Sequence, residues 1–426
     1  MSRQPELVEG GFQLVQWVRQ AANDMFTKKL INNFLQKLIL ATKTRRHKGK
    51  MRSIFSTSCL CALVASSIFR SEAAETFFLK VIYNKLKIKI TTYFSLFIIA
   101  SLFLIGAGKK LYAPTPIPFT IPKGFPKPPT NIFAKNTLTE EGFQLGKKLF
   151  YDARLSKDGQ VSCASCHQPF AAFSTYDHDL SHGVFNSFST RNAPALINLA
   201  WMKEWHWDGG INHLDNQPLF PLSAANEMGE KLDTVLQKIK SDKDYHNLFL
   251  KAFGSSNITT ERMQKAFTQF VGSLVSANSK YDKVKRGEDK FILPEEKGYE
   301  IFKANCNTCH KEPLFTDNSF RNNGMPLNRF KDIGRQAITL DKKDSLKFKV
   351  PTLRNIALSL PYMHDGSFGS LDKIINHYTN LDTTLANLDP LLQKKINMTE
   401  REKKQLVLFL FTLTDTSFTK NKRFAP

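Results

Sequence analysis

Cys163-Ala164-Ser165-Cys166-His167 and Cys306-Asn307-Thr308-Cys309-His310 are the stretches on which the reading of this 426-residue chain turns. In each, two cysteines three apart on a helical turn can each add to one vinyl group of a porphyrin. The adjacent histidine then points at the iron as proximal ligand. A zinc site would instead pair the two Cys-x-x-Cys units into one four-ligand cluster. Here the units begin 143 positions apart, and each carries its own trailing histidine. Of the six cysteines, the other two are Cys59 and Cys61, so none remains for a structural disulfide after residue 112. The pattern predicts two covalently bound haem c groups, held by Cys163, Cys166 and His167 and by Cys306, Cys309 and His310.

Around these units the sequence reads as helix with long connections. Thr139-Glu140-Glu141 opens a helix with acidic residues at its positive end, and Phe143, Leu145, Leu149 and Phe150 give it an apolar face. Residues 232–250 and 259–276 read as further amphipathic helices. Pro294 marks a helix start, and Thr399-x-x-Glu402 matches a capping box ahead of Leu406, Phe409, Leu410 and Leu413. Strand-like alternation is scarce. The expected fold is mainly α, with two cytochrome c-like haem domains whose long loops wrap the cofactors. The charged segment 285–293 suggests a boundary, giving an N-terminal domain at 131–288 and a C-terminal domain at 289–426. GFQLGKKLF before the first unit and GYEIFKAN before the second hint at an internal duplication.

The chain is basic, with a formal net charge of +22. The excess is concentrated upstream: residues 1–112 carry 18 Lys and Arg against 5 Asp and Glu. The densest run, Lys43 to Arg52, has no recognition motif beside it, which argues against nucleic-acid binding. Residues 90–107, ITTYFSLFIIASLFLIGA, form an uncharged apolar run preceded by Lys85, Lys87 and Lys89. Such a run reads as a signal or anchor segment, with the following chain exported to the periplasm. Residues 1–112 are therefore taken as a leader, with residues 1–84 read as an upstream extension of the frame. The Pro-rich residues 113–130 read as an extended linker between membrane and the helical body that carries the cysteine–histidine units.

Several longer motifs join the two cysteine–histidine units: LGKKLFYDARLSKDGQVSCASCH, STRNAPALINLAW, HWDGG and FKVPTLRNIALSLPYMHDGSFGSLDKIINHY. On these the chain, over about residues 131 to 415, resembles the di-haem bacterial cytochrome c peroxidases and their MauG-type relatives. The resemblance implies peroxide reduction by a two-haem enzyme. It makes Trp207 the tryptophan between the haems, followed at the family offsets by Gln217 and Glu227. Glu227 becomes the distal acid–base group at the peroxide-binding first haem, and His364 a histidine near it. Asn192, with the carbonyls of Ser359 and Pro361, resembles the family calcium site, and calcium favours such hard oxygen donors. The resemblance also implies a small donor protein, a cytochrome c or a cupredoxin, that reduces the second haem. Dimers are common in the family.

Two positions depart from the peroxidase pattern and one from that of the MauG type. Where many members place a distal histidine on the first haem, this chain has Val184, with His178 and His182 nearby. Where they place a methionine on the second haem, it has Tyr378, next to His377; phenolate favours the ferric state. The His–Tyr set resembles the MauG type, which oxidises protein side chains through high-valent iron. The tryptophan relay of that type, two residues before the second unit, is Ala304 here. Three readings follow: a peroxidase, a MauG-like oxidase of protein side chains, and a non-catalytic electron carrier.

Overall fold

The Thr139 side chain accepts a hydrogen bond from the Gly142 amide at 3.1 Å and so starts the first helix of the enzyme body. The computed structural model describes residues 72–111, 113–176 and 178–426. The expected leader up to residue 71, with Cys59, Cys61 and the run Lys43 to Arg52, lies outside the described residues. The main helices are α1 (Glu72–Leu111), α2 (Glu140–Tyr151), α3 (Cys163–Cys166), α4 (Leu232–Ser241) and α5 (Lys243–Phe253). They continue as α6 (Thr260–Val271), α7 (Leu293–Asn305), α8 (Leu371–Thr379) and α9 (Glu400–Phe411). A short antiparallel pair, β1 (Phe320–Arg321) and β2 (Phe348–Lys349), sets Phe320 opposite Lys349. The fold is mainly α, as the patterning predicts. The predicted capping box at Thr399 and Glu402 opens α9.

The chain divides into two compact units, Met1–Phe103 and Leu104–Pro426, and both cysteine–histidine units fall in the second. The apolar run 90–107 lies on α1, where Tyr93, Phe94, Phe97 and Ile99 are exposed. Among the described residues no helix is long and apolar enough to cross a membrane. The side chains of Ala100 and residues 102–111 are not among those described, so the expected anchor lies partly outside them.

Two glycines let the enzyme's helices approach closely. A methyl group on Gly146 of α2 would overlap the Ala266 carbonyl of α6, and one on Gly298 of α7 would overlap the Gln405 carbonyl of α9. Each crossing is sealed by aromatic side chains. Phe150, Phe173 and Phe270 pack with centroids 5.1 to 6.2 Å apart in one cluster. Phe302, Phe315, Phe409 and Tyr281 build the other. Burying one such ring stabilises by roughly 1.5–3 kcal/mol, against about 1 kcal/mol for a helix cap, so packing dominates.

The chain passes between the clusters more than once. Phe418 and Phe424, near the C-terminus, pack into the first cluster, and Tyr151 donates to the Phe424 carbonyl at 2.6 Å. Beside the second cluster, Arg354 is 1% exposed, lies over the Phe315 ring and forms a two-pronged ion pair with Asp282 at 2.8 and 2.9 Å. The Pro-rich residues 113–130 are extended, as expected, but docked rather than free. Phe119 and Phe125 pack on Trp201 at 5.7 and 5.2 Å, and the Trp201 indole donates to the Pro126 carbonyl. Aromatic residues in that segment have a hydrophobic place to bind, which a free spacer lacks.

Candidate active site

α3 is a single helical turn, capped by the Ser162 and Ser165 side chains and closed by the His167 amide on the Cys163 carbonyl at 2.9 Å. The turn puts both thiols on one face and sends His167 off its end. His167 Nδ1 meets the Phe173 carbonyl at 2.8 Å. A carbonyl only accepts, so Nδ1 carries the proton and Nε2 presents its lone pair. Burial pushes the His167 imidazole down to about 4, keeping it neutral. A ligating histidine commonly donates its second nitrogen to a carbonyl in this way. The second unit repeats the arrangement at the end of α7. His310 closes on the Cys306 carbonyl at 2.9 Å, and its Nδ1 lies 3.1 Å from the Pro351 carbonyl and 3.3 Å from that of Phe315. Burial lowers its pKa as well.

Both units open into one largely apolar cavity of ≈ 790 Å³. It is lined by Cys163, Cys166, His167, Cys306, Cys309 and His310, and also by Asn192, Trp207, Gln217, Glu227, Ser359, Pro361, His364 and Tyr378. The residues expected from sequence therefore converge. All four cysteines are free, and burial raises the thiol pKa at each. Among the described residues no three His, Cys, Asp or Glu side chains gather in a metal-holding group, as a shared zinc site for both cysteine pairs would require. Two thiol pairs, two preset imidazoles and an apolar volume between them fit two haem groups.

Trp207 is fixed at both ends. Its indole donates to the Asn192 carbonyl at 2.8 Å, and its own carbonyl accepts from the Lys349 amide at 2.7 Å. Next to it, Asp208 pairs with Arg191, which also binds Asp332 through two nitrogens. Gln217 Nε2 lies 3.4 Å from His206 Nε2, and burial pushes His206 down to about 4. His364 is stacked on Phe348 at 3.7 Å, its carbonyl accepts from the Asn192 amide at 2.8 Å, and burial lowers its pKa.

Glu227 belongs to the first site, where it raises the pKa of both Cys163 and Cys166 by its charge. Burial in turn raises its own carboxyl above the ordinary range. Its carbonyl accepts from the Val184 amide at 2.8 Å. Gly183 permits that approach, because a methyl group there would overlap the Asn226 carbonyl. Val184 itself is 2% exposed and is not among the cavity-lining residues. His182 does line the cavity, but its ring is exposed and packs on Phe188 at 4.6 Å and His178 at 5.1 Å.

On α8 the structure separates two neighbours that sequence alone leaves together. His377 Nε2 lies 2.9 Å from the Asn323 carbonyl, whereas Tyr378 lines the cavity, where burial pushes its phenol up to about 12. The Asn192 side-chain Nδ2 donates to the Asp179 carbonyl at 3.2 Å, which leaves Oδ1 as the accepting oxygen of that side chain. His206 and Lys349 were not assigned roles from sequence. Both lie in quoted motifs, HWDGG and FKVPTLRN, but only the fold shows that they line the cavity.

The family model described as di-haem cytochrome c peroxidase matches residues 140–290. The chain is 36% identical over 303 residues to the methylamine utilization protein MauG of Methylorubrum extorquens, covering 69% of this chain and 83% of that protein. It is 34% identical over 290 residues to the cytochrome c551 peroxidase of Nitrosomonas europaea, covering 64% of this chain and 79% of that one. Its fold matches the crystal structure of a MauG-like protein associated with microbial copper homeostasis, with a TM-score of 0.68 and 32% identity over 72% of this chain and 99% of that chain. Relatives of both kinds, a cavity holding two cysteine–histidine turns and a mainly helical body together show that the chain belongs to the di-haem cytochrome c peroxidase and MauG family.

Proposed function

We propose that this enzyme reduces hydrogen peroxide at its first haem site, with electrons from a small donor protein entering at the second. The observation that carries the reading is Glu227: a carboxyl raised by burial, facing the cavity beside Cys163 and Cys166, with valine at the neighbouring position 184. Haem, when attached, supplies the iron at which the O–O bond is cleaved. The chain's own residues manage protons and position. Glu227 accepts a proton from one peroxide oxygen and returns it to the other. A carboxyl whose pKa is raised by burial holds a proton more readily than an exposed one, which suits the return half of that task. Gln217 and His206 line the same cavity and offer polar contacts, while Trp207, hydrogen-bonded at both ends, would carry electrons between the two sites. The balance is one peroxide, two electrons and two protons to two waters.

The donor would be a cytochrome c or cupredoxin, and the apolar run 90–107 would deliver the enzyme to the periplasm, cleaved or anchored. Asn192 Oδ1 with the carbonyls of Ser359 and Pro361 offers oxygen donors for calcium. Chelation should lower turnover and added calcium should restore it.

A second reading, oxidation of a protein side chain, is favoured by one observation: the phenol of Tyr378, rather than a methionine, faces the second site. Steady-state turnover separates the two. Rapid peroxide-dependent oxidation of a reduced cytochrome c or cupredoxin supports the first reading. Peroxide consumption without donor oxidation supports the second.

A further inference from the structure

Three Lys or Arg side chains line the cavity, and two of them are already neutralised. Arg191 is held by Asp208 and Asp332, and Arg321 by Asp317 and Asp389. Lys349 differs. Its ammonium lies 3.0 Å from the Glu204 carbonyl and 3.9 Å from the Met202 sulfur, and none of the ion pairs among the described residues includes it. Its backbone is pinned: β2 pairs Lys349 with Phe320, and its amide donates to the Trp207 carbonyl at 2.7 Å. The strand therefore fixes where the side chain leaves the backbone, and the Glu204 carbonyl holds its ammonium at the cavity wall.

A second unsatisfied donor lies one residue from the carbonyl that holds Lys349. Trp205 lines the cavity and is 5% exposed, yet its indole nitrogen is buried without a hydrogen-bond partner. Buried donors are nearly always satisfied, and a buried cation calls for an anion. The Asp208 and Glu204 carboxylates act on Lys349 without pairing with it, so its cavity side is open to an anion carried by whatever fills the cavity. A porphyrin brings carboxylates, and a carboxylate entering an apolar volume needs charge-assisted donors around it.

We propose that Lys349 and Trp205 form the seat for a haem propionate beside Trp207. The inference rests on the two-haem reading and goes beyond it by assigning the residues that receive the porphyrin's charge. A cation and an N–H donor at that carboxylate reduce the negative charge near the iron. They favour the ferrous form and raise the midpoint potential of that haem.

The test is spectroelectrochemical titration of the haem-loaded protein, with haem content measured separately by pyridine haemochrome. In Lys349→Met, one of the two midpoint potentials should fall while the other holds and haem content stays at two per chain. The propionate bending band in the resonance Raman spectrum should move with it. Trp205→Phe should lower the same potential by less, and Lys349→Arg should keep the wild-type value. Unchanged potentials in Lys349→Met and Trp205→Phe, with both haems attached, overturn the proposal. If Lys349→Met does not accumulate with haem, the other two variants decide: the proposal stands only if Lys349→Arg titrates like wild type and Trp205→Phe titrates lower. Fewer than two haems in the unaltered protein would refute the two-haem reading itself, a result distinct from a failed carboxylate seat.

Discussion

At Cys163–His167 and Cys306–His310 the backbone does the same thing twice. Each histidine amide closes on the carbonyl of the first cysteine at 2.9 Å, and each Nδ1 faces a carbonyl that presets the other nitrogen. Each unit also stands near a helix crossing that only glycine permits, Gly146 on Ala266 and Gly298 on Gln405. On the cavity side the two halves part. The first faces Glu227, raised by burial; the second faces Tyr378, also raised by burial. The spacing suited to haem attachment thus lies in five consecutive residues, whereas the groups facing the cavity come from elsewhere in the chain. The comparison teaches that haem count and haem chemistry are separable properties of this fold.

The largest expected effect breaks the asymmetry at the first site. Glu227→Gln should lower kcat for peroxide reduction by roughly 10²–10⁴-fold, the usual contribution of a positioned acid–base group. Haem content and the second haem's potential should not change. Activity within a few-fold of wild type would remove Glu227 from the chemistry and raise the electron-carrier reading.

At the second site, Tyr378→Met should raise the midpoint potential of one haem, because a thioether favours the ferrous state and a phenolate the ferric. The matching electron paramagnetic resonance signal should change while that of the first haem stays. An unchanged potential in this variant would falsify the axial role of Tyr378. The same variant at His377 should leave both potentials in place, since that ring is engaged by the Asn323 carbonyl.

A smaller effect tests whether the two halves are equivalent in packing. Gly146→Ala and Gly298→Ala each push a methyl group into a backbone carbonyl of the partner helix. Each should destabilise by roughly 1–3 kcal/mol, the usual cost of overpacking. Thermal unfolding of the haem-loaded protein measures it. A loss from only one variant would show that the crossings are not equivalent.

The smallest effect is on stability against pH. The Glu227 carboxyl is raised in the fold, so its ionisation costs stability once pH exceeds the unfolded value, near the ordinary 4.5. Glu227→Gln should therefore unfold at a slightly higher temperature than wild type at pH 7. The gain should vanish below about pH 4, where the wild-type carboxyl is neutral in both states. In the wild type, the acid limb of kcat/KM should lie above the ordinary carboxylate range and rise with pH as the base form appears. That limb should be missing from the residual activity of the variant.

Much of this was legible before any fold was built. Helix α2 opens at the expected Thr139 cap, α9 at the expected Thr399 capping box, and the first cysteine–histidine unit stands on the expected helical turn, whereas the second follows the end of α7 in a hydrogen-bonded turn. These are local signals, carried by residues within one or two turns of each other. The Pro-rich segment was harder: its extended backbone follows from proline, but its docking depends on Trp201, about 75 residues away. Lys349 and Trp205 gave no signal of their own, because a lysine in a short strand and a buried tryptophan are ordinary until a cavity forms beside them.

By itself, then, the sequence determined which residues are spaced to attach haem, how the helices begin and which family pattern the later motifs follow, because those depend on covalent spacing and local backbone energetics. Only the tertiary structure decided that Tyr378 rather than His377 faces the second site, that Val184 packs away from the cavity, and that Lys349 meets it outside any ion pair among the described residues. Those outcomes depend on which face of a helix is buried and on the dielectric of the space it borders. Both are set by packing between segments far apart in the chain.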